Sequence, residues 1–290
     1  MSSNDPAVLG SYWTLAGDAD PNTDQLWSPW DFRERVETAA DAGFSGIGIL
    51  HPDLERVREQ YSLAEMRDIL TENGIEHVEL EFIDDWFLES DDDRREESDR
   101  IRSMLLEAAE ALDARHVKVG NIPRTSRPLD QVEEAFVDLC ADAEAYDTRI
   151  GLEYMAADGN FETLQEAIDL VHSADADNGG IVLDTWHVAK GGANFDDLRD
   201  IPREDLLWVE LNDGYVDPDM GRTEETTNHR LLPGEGEFDV VGFVEAVSDA
   251  GYDGPWGVEV LNAELRTLPM AELYDRGYET TASVLSDAGQ

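Results

Sequence analysis

Lysine is almost missing from this chain. Only Lys118 and Lys190 occur among 290 residues, and 21 basic side chains face 67 acidic ones, for a formal net charge of −46. A surface so negative repels nucleic acid and anionic membranes, which argues against both as partners. It also works against the compact state by self-repulsion unless counterions screen it, and the screening length shrinks from about 10 Å at 0.1 M salt to about 3 Å at 1 M. The composition therefore predicts a protein built for concentrated salt, as in a halophile, with stability that rises with KCl. Cysteine is nearly absent too: Cys140 stands alone, so no internal disulfide forms. There is no apolar run long enough for a membrane span and no apolar segment at the amino terminus of the kind that directs secretion. The expected location is the cytoplasm. Finally, no Gly-x-Gly-x-x-Gly opens a helix after the first strand, which weakens a dinucleotide-binding reading.

What is present is ample material for a core. The hydrophobic fraction is 41%, and 7 Trp, 9 Phe and 8 Tyr are spread along the chain, which sets it apart from disordered acidic proteins. Short apolar runs read as strands at Val8–Trp13, Gly46–Leu50, Glu76–Ile83, His116–Val119, Arg149–Met155, Gly180–Asp184, Leu206–Asn212 and Gly257–Leu261. Between them lie helical patterns near Trp30–Ala42, Leu63–Glu72, Arg94–Leu112, Leu129–Tyr146, Phe161–Ser173, Phe195–Arg199, Val240–Gly251 and Met270–Ser286. Alternation of this kind means parallel strands joined by right-handed crossovers. Eight units in this length predict an α/β fold, a single closed (β/α)8 TIM barrel over residues 1–290 with Met1–Pro6 as a loose tail. An open doubly wound sheet is the alternative.

Alternation along each strand indicates which side chains enter such a barrel. Leu207, Val209 and Leu211 share one face and are expected against the helices, so Glu210 points inward. The same parity turns Glu153, Asp184 and Glu259 inward, with Lys118, Glu79 and Glu81 beside them. Four carboxylates at the ends of four consecutive strands raise one another's pKa and are costly to bury. A hard divalent cation relieves this, because carboxylate oxygens are the ligands it prefers. Internal pairing with arginines is the competing explanation.

These residues resemble the xylose-isomerase-like TIM-barrel superfamily, which holds sugar isomerases and epimerases, inosose dehydratases and endonuclease IV. The resemblance rests on Gly151-Leu152-Glu153, Leu183-Asp184-Thr185-Trp186-His187, Asn228-His229-Arg230-Leu231-Leu232-Pro233-Gly234-Glu235-Gly236 and Gly257-Val258-Glu259. It implies one Mn2+ or Mg2+ held by Glu153, Asp184, Glu210 and Glu259, with Glu210 standing where the ketose 3-epimerase branch has His. It implies substrate contacts from His187 and Arg230. Endonuclease IV would need further metal-binding histidines, which are not found.

The expected activity is that of a metal-dependent isomerase or epimerase on a ketose or keto-polyol, passing through an enediolate with Glu153 and Glu259 as the acid–base pair. A dehydratase of the inosose or dehydroshikimate type uses the same site, and a non-catalytic metal- or sugar-binding barrel is the reading from another class. Lys118 is expected either to donate to a substrate hydroxyl or to pair with Glu79 or Glu81. Trp13, Trp86, Phe87 and Trp186 are candidates to wall off a sugar-sized pocket, and His51 to line it. The expected partner is a small carbohydrate, a neutral sugar being favoured over a phosphorylated one because two lysines offer no polyphosphate cradle, and a homo-oligomer, dimer or tetramer, is compatible with the resemblance.

Overall fold

The structure, a computed structural model, describes residues 6–156 and 158–290; residues 1–5 of the expected tail lie outside the described residues. Eight parallel strands close into a barrel in chain order. They are β1 (Val8–Gly10), β2 (Gly46–Leu50), β3 (His77–Ile83), β4 (His116–Val119), β5 (Ile150–Glu153), β6 (Gly179–Asp184), β7 (Leu206–Leu211) and β8 (Trp256–Val258). Each pairs with the next, and β8 pairs with β1 through Leu9↔Gly257 and its neighbours.

The helices wrap this ring because each carries one apolar stripe and clear start and stop chemistry. The helix Phe32–Ala42 opens on the Asp31 carboxylate, which accepts from the amides of Arg33 and Glu34, and stops at Gly43, whose φ of 113° suits only glycine. The helices Leu63–Glu72 and Leu164–Ala174 both open on reciprocal capping boxes, Ser62 with Glu65 and Thr163 with Glu166. Their stripes meet the outward residues of the strands. Leu80, Val117, Leu152, Leu183, Val209 and Val258 all join the large core between barrel and helices. No helix among the described residues is long and apolar enough to cross a membrane.

Several places depart from the sequence reading. The first strand ends at Gly10 and turns straight into a short helix, Tyr12–Leu15. The last ends at Val258, so Glu259 sits just past it. The long polar loop after β7 contains a helix, Arg222–Asn228, whose sequence offers no apolar stripe to signal it. Leu207 was expected against the helices, yet it lies inside the barrel with Leu9, Val182 and Trp208. A register shift is the cause: Ile181 pairs with Leu206 but Val182 with Trp208, leaving Leu207 as an extra residue that reverses the alternation.

Candidate active site

Glu79 and Glu81 of β3, Lys118 of β4, Glu153 of β5, Asp184 of β6 and Glu210 of β7 all point into the barrel and are buried. Glu259, one residue past β8, joins them, and Arg230 enters from the long loop after β7. The hub is Lys118. Its Nζ lies 2.9 and 3.0 Å from the two Glu210 oxygens and 2.9 Å from Glu259 Oε1. It is also 3.1 Å from Glu81, 3.7 Å from Glu79 and 4.0 Å from Glu153.

Arg230 is the second interior cation. Its Nη1 donates to Asp184 Oδ2 at 2.8 Å and to Glu259 Oε2 at 3.1 Å. The loop holds Arg230 by its backbone: the amide donates to Leu261 O, and Asn262 Nδ2 donates to Arg230 O at 2.8 Å. Just downstream, Gly234 (φ 83°) and Gly236 wrap the loop around Asp213. A Cβ on Gly236 would meet Asp213 Oδ1 at 2.3 Å, so glycine is required there. Asp213 collects the amides of Gly214, Gly234 and Phe238. Thus the Pro-Gly-x-Gly segment is the frame that carries Arg230 into the barrel.

Six carboxyls therefore face two cations in a buried interior. Burial pushes Glu153 and Glu210 well above the usual carboxylate range, with Lys118 opposing the shift in both. Glu81 is pushed up to about 8, again by burial and against Lys118. Lys118 itself is held well above the normal lysine value. Burial works to lower it, and the surrounding glutamates, Glu210 first, overcome that. Oxygens of Glu153, Asp184, Glu210 and Glu259 all lie within 4.8 Å of one another, and Glu153, Asp184 and His187 form an overlapping set. A surplus of buried carboxylate converging at that range fits a hard divalent cation.

Of its two expected roles, the ion pairing is the one on view: the Lys118 ammonium is surrounded by carboxylates. It pairs with Glu79 and Glu81, and with three further acids besides.

Asp184 does two jobs. Oδ1 accepts the His187 amide at 3.0 Å and starts the helix Thr185–Lys190, while Oδ2 accepts from Arg230 and from Asn212 Nδ2. His187 takes the amide of Ala156 on Nδ1 at 3.1 Å, and its Nε2 lies 3.3 Å from Arg230 Nη2. The same Nε2 faces Glu153 Oε1 at 3.6 Å. Burial, reinforced by Arg230, holds the imidazole pKa well down, so the ring is neutral. Sequence reasoning passed over Ser11, whose hydroxyl donates to Glu210 at 2.8 Å, and Asn212. Asn212 shares the inward parity of Glu210, a signal that was there to be used.

Above this cluster opens a cavity of about 660 Å3. Glu153, His187, Arg230 and Glu259 line its floor side, while Trp13, Phe82 and Trp186 supply aromatic wall. Trp86 and Phe87 are buried in the outer core instead, with the Trp86 indole donating to Gly120 O. His51 lines the cavity; Lys190 pairs with Glu225 at 2.6 Å in the helix Arg222–Asn228.

Comparison with known proteins agrees with this architecture. The chain is 27% identical over 261 residues to a 3-dehydroshikimate dehydratase of Pseudomonas aeruginosa, covering 81% of this chain but only 37% of that protein. It thus spans little more than a third of the length of that relative. An inosose isomerase of Bacillus velezensis is 24% identical over 266 residues, covering 88% of this chain and 92% of that one. Among solved structures, the IOLI protein with a bound zinc atom superposes with a TM-score of 0.79 at 20% identity, over 97% and 98% of the two chains. Residues 36–283 match the xylose isomerase-like TIM barrel family, and the chain belongs to that family.

Proposed function

We propose that this chain is a divalent-metal-dependent isomerase or epimerase of a ketose or keto-polyol, working by proton transfer beside a carbonyl. The observation that supports this most is the pair Glu153 and Glu259, two buried carboxyls on the floor of one cavity that share a single ammonium neighbour. The resemblance to an inosose isomerase over nearly its whole length points the same way.

In this reading Glu153 takes the proton from the carbon next to the carbonyl, and Glu259 returns one to the opposite face or the neighbouring carbon. His187 and Arg230 hold the substrate oxygens. Lys118 keeps Glu259 and Glu210 in position from below. Glu153, Asp184, Glu210 and Glu259 would hold the cation, and an all-oxygen set suits Mn2+ or Mg2+. Bound there, the cation would supply Lewis-acid polarisation of the carbonyl.

A dehydratase is the second reading, favoured by the 27% identity to a 3-dehydroshikimate dehydratase. It begins with the same proton abstraction and ends in loss of a β-hydroxyl.

The test is incubation with Mn2+ in high salt and D2O against ketoses, keto-inositols and 3-keto-glycosides. Deuterium should enter the carbon beside the carbonyl, and Glu153→Gln should abolish this by removing the base. Loss of water from the product would select the dehydratase. No exchange on any substrate would leave a non-catalytic binding barrel.

A further inference from the structure

We propose that Asp84 heads a second subsite in the cavity, one that binds hydroxyls of a neutral polyol at the end of the substrate remote from its carbonyl. This rests on the function proposed above and names the substrate class as keto-sugars of two rings or equivalent length.

The sequence pattern alone would point Asp84 away from the cavity. Glu81 faces inward, so strict alternation would turn Ile83 inward and Asp84 outward. The register shifts at this point: Glu81 pairs with Lys118 but Ile83 with Val119, leaving Phe82 as an extra residue. Ile83 consequently joins the outer core, and both Phe82 and Asp84 line the cavity. Bulges at barrel rims re-aim side chains in this way. Gly120 makes room for the result, since a Cβ there would lie 2.5 Å from the Phe82 ring.

Asp84 is held firmly yet left half-used. Its backbone carbonyl accepts from Ser98 Oγ at 2.6 Å, and its Oδ1 accepts the Ile122 amide at 2.8 Å. Among the described residues no arginine or lysine pairs with the carboxyl, and its second oxygen has no partner. Burial pushes it up to about 7, the Ile122 amide opposes this, and Asp85 and Asp158 add to the rise. The fold thus keeps a poorly solvated acid among other acids on a cavity wall. Hydrogen-bond donors from a ligand would offset that cost.

His51, on the same wall, has a buried Nδ1 without a partner among the described residues. Burial lowers its pKa to about 4, so at neutral pH it is uncharged. A carboxyl that no cation pairs with and a neutral imidazole can both accept hydrogen bonds from hydroxyls.

Position sets the size of the ligand. In an eight-strand ring closed in chain order, β3 stands opposite β7 and β2 opposite β6. Asp84 and His51 therefore face Glu210 and Asp184 across the barrel mouth. Asp84 also lies beyond Glu81, just past the end of β3 at Ile83. In this proposal a substrate whose carbonyl sits at Glu153 and Glu259 reaches Asp84 through a second ring or a long polyol arm, and the cavity of about 660 Å3 has the room.

Asp84→Asn keeps the shape and the oxygen that accepts from Ile122 while removing the charge. With the Mn2+-loaded protein in high salt, exchange in D2O is compared on ketohexoses and keto-inositols against 3-keto-disaccharides. The variant should raise KM for the disaccharides by about tenfold, as expected for one lost charged hydrogen bond, with kcat and the monocyclic substrates unaffected. Equal effects on both substrate sizes, or a loss of kcat alone, would overturn the subsite. Should the wild type exchange nothing, the proposed function fails, and the subsite is then read by calorimetry with trehalose. A wild type that does not bind trehalose, or Asp84→Asn binding it equally well, would overturn it separately. Asp84→Ser repeats the comparison if Asp84→Asn melts early.

Discussion

Replacing Lys118 with methionine keeps the aliphatic stem and deletes the ammonium around which five carboxylates gather. Among the described residues Arg230 would then be the one cation left beside these six buried carboxyls, of which it pairs with Asp184 and Glu259. Removing one partner of a buried ion pair costs about 3–5 kcal/mol, because the other charge is stranded. At roughly 2 °C per kcal/mol for a chain of this size, the melting temperature should fall by roughly 6–10 °C. The assay is thermal unfolding by circular dichroism in metal-free buffer at fixed high salt. Adding Glu210→Gln to Lys118→Met should return part of the loss, since Glu210 makes the two shortest contacts not shared with Arg230. A single variant within 0.5 kcal/mol of wild type, the usual range for surface changes, would show that the ammonium does not organise the cluster.

Two further outcomes follow from charge. With a net charge of −46, stability should climb steadily as KCl rises from about 0.1 M to above 1 M, where screening shortens to about 3 Å; equal melting temperatures in dilute buffer would refute this. His51 titrates near 6.5 in the unfolded chain and about 4 in the folded one, so acidification protonates the unfolded chain first. Its contribution therefore falls as pH drops from about 6.5 to 4, by at most about 1.4 kcal/mol per pH unit. His51→Gln should flatten the stability curve in that window, and an unchanged slope in urea titrations at several pH values would count against the assignment.

Period-2 alternation made most of the barrel legible. Glu153, Asp184 and Glu210 follow from parity because their strands are regular where these residues sit and their apolar partners, Leu152, Leu183 and Val209, need the helices. Where a strand carries an extra residue, parity fails. Leu207 sits at such a point and Asp84 just beyond one, and neither Leu207 nor Phe82 has a glycine or proline beside it in its own strand. Asp184 is both a helix cap and a member of the charged cluster, since a carboxylate has two oxygens and uses one for each. Lys118 was visible as an inward lysine. That it serves five acids at once depends on strands far apart in sequence and converging in space, which no local pattern carries.

Of the two cations that balance the barrel interior, Lys118 belongs to a strand and Arg230 to a loop. The loop after β7 is therefore wired into the charge balance of the core. If it swings away, it withdraws a guanidinium from Asp184 and Glu259 and leaves the interior more negative. Opening of this loop and occupancy of the cluster by any other cation are accordingly linked equilibria. Each makes the other easier by the same free energy, whichever happens first.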